Sequence, residues 1–191
     1  MRLSFRISAV AVRFAVLSAV LAAPASAASS VIGQGRAHGC FIAALTDNAS
    51  QRTIDDCTRA LDDDVLSSDD RVATHVNRGI LKMQLKQIDA AIADFDAALA
   101  RNPAQPEASL NKGVATLRKS GAAAEAVRLF TAAIENRTTK PELAHFGRAI
   151  AHEMLGDLRA AYADLKQANA LAPEWTQPVE ELARYQVRPA G

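Results

Sequence analysis

The chain has 191 residues, with 22 Lys and Arg against 21 Asp and Glu, 49% apolar residues and only 5% aromatic ones. So balanced a charge, with no basic stripe, excludes nucleic acid as a natural partner. Abundant alanine, and the lack of alternating β-branched runs bounded by turn signals, exclude a sheet-based fold and leave an all-α one.

Residues 1–27 have the three-part layout of an export signal. Arg2, Arg6 and Arg13 make a basic start, Phe14–Ala23 an apolar stretch, and Pro24 with Ala25-Ser26-Ala27 a small-residue cleavage site. The apolar stretch is too short to span a bilayer comfortably, and Arg13 interrupts the one window approaching spanning length, which disfavours an uncleaved anchor. Cleavage is expected before Ala28. It removes three basic residues and no acidic one, leaving 164 residues with 19 basic against 21 acidic side chains, a formal charge of −2. No later segment is long and apolar enough to cross a membrane, so the mature protein is expected to be periplasmic or secreted. Its two cysteines, Cys40 and Cys57, form an even pair, which in an exported protein predicts a disulfide.

After an acidic stretch, Asp62-Asp63-Asp64 and Asp69-Asp70, the sequence becomes periodic. Ala91, Phe95 and Ala98 recur 35 residues later as Ala126, Phe130 and Ala133, and 35 later again as Ala161, Leu165 and Ala168. Each triplet has i, i+4, i+7 spacing, placing small, large and small residues on one helical face. Upstream of each lies a second recurring pattern: His75-Val76-Asn77-Arg78-Gly79, Ser109-Leu110-Asn111-Lys112-Gly113 and His145-Phe146-Gly147-Arg148-Ala149. Asn102-Pro103, Pro106, Pro141 and Pro173 punctuate the units, and Gly121 and Gly156 mark turns inside the second and third.

These residues resemble the tetratricopeptide repeat. Gly79, Ala91, Phe95, Ala98 and Pro103 carry its full pattern, the second unit has Thr138 in place of the closing proline, and the third has Leu165 in the aromatic slot. The resemblance implies a short right-handed α-solenoid of about three hairpins over residues 72–175. A degenerate N-terminal hairpin over 28–71 is expected before them, and a capping helix with a tail over 176–191 after them, since the terminal units of a solenoid need covers. Shifting the first clear unit back by 38 residues sets Phe95 on Cys57 and Arg78 on Cys40, so the cysteines face each other across that first hairpin. Pro178–Val187 reads as the last helix, with Val179, Leu182, Ala183 and Tyr185 inward.

Arg78 with Asp94, and Arg148 with Asp164, share a 16-residue offset across the two helices of a unit, which predicts structural ion pairs. The resemblance implies that Asn77 and Asn111 line a concave groove and meet the main chain of a bound peptide, an amide being both donor and acceptor. Ile80, Met83, Gln84, Leu110, Val114, Leu117, Arg118, Phe146 and Ile150 belong to the same face. Val76 and Leu110 stand where family members that clamp a terminal carboxylate carry basic residues. The implied partner is therefore a protein segment that is apolar or an amphipathic helix.

No cofactor, metal or catalytic site is expected. The acidic stretch lacks the calcium-loop pattern and reads as a solvated linker; His38, His75, His145 and His152 lack metal-ligand spacing; and no nucleophile elbow, phosphate loop or dinucleotide fingerprint occurs. The leading function is an interaction adaptor of the cell envelope. A homo-oligomer whose groove is filled by a second copy is the alternative, and an envelope hydrolase with a dyad assembled from distant residues is the third.

Overall fold

The computed structural model describes residues 4–5, 27–31, 34–120, 122–185 and 187–188. The expected export signal therefore lies, apart from residues 4–5 and 27, outside the described residues. The fold is all-α, and a two-residue ladder between Ser4–Phe5 and Val187–Arg188 is the one extended pairing among the described residues.

Nine helices form among those residues: α1 Arg36–Leu45, α2 Gln51–Asp63, α3 Ser68–Gln84, α4 Ile88–Arg101, α5 Pro106–Ser120, α6 Ala123–Glu135, α7 Pro141–Met154, α8 Leu158–Leu171 and α9 Thr176–Leu182. They pair as consecutive hairpins, α1 with α2 through α7 with α8, and each second helix also packs on the first helix of the next hairpin. The result is a solenoid with α9 laid against its last helix.

Local chemistry sets the boundaries. Ser50 and Thr53 cap α2 reciprocally, the Ser67 hydroxyl accepts the Asp70 N–H at the start of α3, and Pro141 opens α7 where its missing N–H costs nothing. The acidic stretch is not a linker. Asp62 and Asp63 complete α2, Asp69 and Asp70 fill the first turn of α3 where the helix dipole favours them, and Asp64 accepts Arg36 Nη2 at 2.6 Å. With Ser67 as its cap, α3 thus starts at Ser68, four residues ahead of the expected unit boundary at Val72.

Between the hairpins runs an apolar cluster that includes Cys57, Phe95, Phe130 and Leu165. These four residues occupy equivalent interior places on successive second helices, all at most 2% exposed. Glycine makes room for the rings: a Cβ on Gly79 would lie 2.5 Å from Phe95 Cε1, and one on Gly113 2.9 Å from Phe130 Cε1. The third unit reverses the trade, with Ala149 in the glycine slot and Leu165 in the ring slot. In the first hairpin Cys40 and Cys57 are bridged, with their Cα atoms 5.1 Å apart.

The C-terminal helix differs from expectation. It starts at Thr176 and ends at Leu182, so the i, i+4 pair Pro178 and Leu182 faces inward while Val179 is turned to solvent, 48% exposed. Ala183 is also exposed. Tyr185 lies beyond the helix and packs on Tyr162 with ring centroids 5.7 Å apart, and Trp175 packs on Phe146 at 4.7 Å.

Two consequences can be measured by chemical denaturation. Gly79→Ala should cost about 1–3 kcal/mol, because overpacking displaces a ring with nowhere to go, and adding Phe95→Leu should recover part of the loss by reproducing the third unit's pairing. Removing the bridge with Cys40→Ala and Cys57→Ala should cost about 3 kcal/mol, the loop-closure entropy returned to the unfolded chain.

Candidate functional site

Asn77 and Asn111 occupy matching positions on α3 and α5, and both are fully buried. Their amides reach the extended segment Ala27–Val31, here termed the strap. Ser29 N–H donates to Asn77 Oδ1 at 2.9 Å while Asn77 Nδ2 donates to the Ser29 carbonyl at 2.8 Å. Asn111 Nδ2 donates to the Ala27 carbonyl at 3.1 Å and to the Glu107 carbonyl at 2.8 Å. Because both of those partners are acceptors, the amide orientation is fixed, and Asn111 Oδ1 is left buried without a hydrogen bond. Gln105 Nε2 donates to Ser29 Oγ at 3.2 Å, and His38 Nδ1 lies 3.3 Å from the Val31 carbonyl.

The strap alternates as a strand does. Ala27, Ser29 and Val31 are buried, Ala28 is half-buried and Ser30 is exposed. Val31 packs with Ala37, Ala60 and Ala73. No sequence pattern marks the strap, Gln105 or His38 as belonging to this site.

The other expected groove residues divide into two groups. Ile80, Met83, Leu110, Val114, Leu117, Phe146 and Ile150 are at most 5% exposed and belong to the continuous apolar cluster, so none is presented as open surface. Gln84 donates to Asp47 Oδ1 at 2.6 Å, and burial lowers the pKa of the half-buried Arg118. Glu107, which sequence reading overlooked, is a buried carboxylate that accepts Thr138 Oγ1 at 2.6 Å and the Thr139 N–H at 2.9 Å. It ties the start of α5 to the turn before α7, where the repeat pattern has lost its closing proline.

Two charged clusters staple the hairpins. Asp94 accepts Arg78 Nη2 at 2.6 Å, Lys82 Nζ at 2.7 Å and His75 Nδ1 at 3.3 Å, and Arg78 Nη1 also reaches Thr58 of the preceding hairpin at 3.0 Å. Asp164 repeats the arrangement with Arg148 Nη2 and His145 Nδ1, both at 2.8 Å, and Arg148 Nη1 reaches Thr131 of the preceding hairpin at 3.0 Å. In the middle unit Lys112 instead lies 2.8 Å from Asp96 on α4 and 3.5 Å from Glu125 on α6. Among the described residues no group of three His, Cys, Asp or Glu side chains is arranged to hold a metal.

Burial alone would raise the Asp94 carboxyl, but hydrogen bonds from His75, Arg78 and Lys82 outweigh it and hold the group down to about 2. Asp164 is lowered for the same reason, by His145 and Arg148 against burial. A carboxyl depressed on folding stabilises above its unfolded value of 3.8 and loses that contribution as pH falls toward 2. For Asp94 the contribution is on the order of 2 kcal/mol. Asp94→Asn should therefore lower stability at neutral pH and flatten the decline between about pH 4 and pH 2, measured by urea unfolding across that range.

The tetratricopeptide repeat family model matches residues 76–141 and 116–174. No curated protein matches the chain in sequence. Solved structures of MamA share the solenoid fold. The MamA RS-1 ArsTM double mutant is 18% identical with a TM-score of 0.62, over 80% of this chain and 83% of that one. MamA AMB-1 is 25% identical with a TM-score of 0.55, over 72% and 77%. MamA 41-end from Desulfovibrio magneticus RS-1 is 19% identical with a TM-score of 0.59, over 80% and 84%. Together the two family matches run from residue 76 to 174, more than half of the 191 residues, and the chain belongs to the tetratricopeptide repeat family.

Proposed function

We propose that this protein is an interaction adaptor of the cell envelope that takes an extended peptide segment along its first helices. Tetratricopeptide hairpins in general serve as non-catalytic protein-interaction scaffolds, and the proposal concerns where and how this one binds. The observation that carries it is the pair of hydrogen bonds that Asn77 exchanges with the main chain of Ser29. An amide that both donates to and accepts from one residue needs a partner whose N–H and C=O are both unpaired. The interior of a helix has spent those groups on itself, whereas an extended segment offers them. Extended peptide is therefore favoured over an amphipathic helix.

The envelope assignment draws on the export-like layout of residues 1–27 and on the Cys40–Cys57 bridge, which persists in oxidising compartments.

A photo-crosslinker at Asn102 tests the proposal, because Asn102 is exposed and borders the cavity beside Ala28–Ser30. Each hydrogen bond contributes on the order of 1 kcal/mol net, so in a chain whose strap is released by Ser29→Pro, adding Asn77→Ala and Asn111→Ala should weaken capture of the crosslinked partner by about tenfold to a hundredfold. Capture that these two added substitutions leave unchanged, with the fold intact by circular dichroism, rules the proposal out.

A further inference from the structure

We infer that residues 27–31 are the resident ligand of this groove, and that an external peptide enters only by exchanging with them. The inference rests on the reading of Asn77 and Asn111 as main-chain binders and adds what regulates that site and which segments it accepts.

Three observations carry it. First, the strap already makes the contacts that a bound peptide requires: four side chains, His38, Asn77, Gln105 and Asn111, hold its main chain and the Ser29 hydroxyl. Second, the strap is covalently close. Only residues 32–35 separate it from α1, so it competes at the effective concentration of a short tether, about millimolar. Third, the strap fits imperfectly. Asn77 is satisfied on both sides, but Asn111 Oδ1 is buried and unpartnered, although its Nδ2 is already on Ala27. A peptide that offers an N–H at that position gains a bond the strap lacks, which gives exchange a direction.

The same geometry specifies the class of ligand. The side chains of Ala27 and Ser29 are 2% and 6% exposed, so residues two apart on the ligand must be small and uncharged. The residue that meets Asn77 cannot be proline, because it must supply the N–H that Oδ1 accepts. Positions equivalent to Ala28 and Ser30, half-buried and exposed, tolerate larger groups. The expected export cut before Ala28 removes residues 1–27, so the Asn111 contact to Ala27 belongs to the uncut chain, while Ser29, Ser30 and Val31 remain in the cut one.

The test uses the full chain labelled with nitrogen-15 and follows the side-chain amide resonances of Asn77 and Asn111 while acetyl-Ala-Ala-Ser-Ser-Val-amide is added up to millimolar concentration. Ser29→Pro removes the donor to Asn77 and frees the groove. The expected result is a midpoint at least about tenfold lower in S29P than in the unaltered chain, and loss of the Asn111 response when Asn77→Ala is added. Val31→Asp, which drives the strap's apolar anchor from its pocket, should lower the midpoint by a separate route and replaces S29P if that variant does not fold. Equal midpoints in the unaltered and released chains, abolished by Asn77→Ala, would overturn the strap while leaving the groove standing. No response in any of these chains would remove the groove reading and the inference together. An Asn111 response that persists at the same midpoint without Asn77 shows that Asn77 does not hold the peptide and also overturns it.

Discussion

The close approach of two helices within each hairpin is the constraint from which the rest of this structure follows. It is set by a trade of volumes: glycine at residues 79 and 113 admits the phenyl rings of Phe95 and Phe130, while Ala149 is matched to the smaller Leu165. Interiors are packed to crystal-like density, so a methyl added on one side must be removed on the other. Gly147 shows that the constraint crosses between hairpins, because a Cβ there would collide with the ring of Phe130 from the preceding one. The α7–α8 hairpin thus has Gly147 where α3 and α5 have Asn77 and Asn111, and the row of main-chain-binding amides stops after two.

Charge then fixes what volume leaves free. Apolar faces alone would allow hairpins to slide, whereas Arg78 and Arg148 each join a carboxylate of their own hairpin to a hydroxyl of the one before. Buried pairs of this kind specify arrangement more than they add stability, because the Coulomb gain must offset the loss of hydration. The middle unit meets the same need differently, with Lys112 set between Asp96 and Glu125. The first helices are thereby held in a register that brings Asn77 and Asn111 onto one extended segment.

What the sequence disclosed depended on periodicity. The hairpins were legible because Phe95, Phe130 and Leu165 recur at a constant interval, and the Arg78–Asp94 offset could be read because one hairpin fixes which residues face each other. Features that do not repeat were hidden. Glu107 substitutes for a missing proline by reaching 31 residues ahead to Thr138, and no local pattern announces such a contact. Lys86 sits at φ 62 in the turn slot that Gly156 fills between α7 and α8, a backbone state in which glycine is the usual signal. Val179 breaks its i, i+3, i+4 pattern with Leu182 and Ala183 because the helix stops at Leu182 and packs through Pro178 instead. That Asn77 and Asn111 would meet extended main chain is an expectation of the family resemblance alone, and nothing local marks residues 27–31 as the segment they hold.

In a solenoid nearly all contacts are between neighbours, so folding can propagate from unit to unit with little loop closure. The strap breaks that rule: its bond to Asn77 spans 48 residues and its bond to Asn111 spans 84. It therefore closes after the repeats that receive it. During synthesis the order is also temporal, since at about 5–20 residues per second Asn111 is added about 4–17 s after Ala27. For that interval the nascent chain displays a short extended segment whose eventual seat does not yet exist.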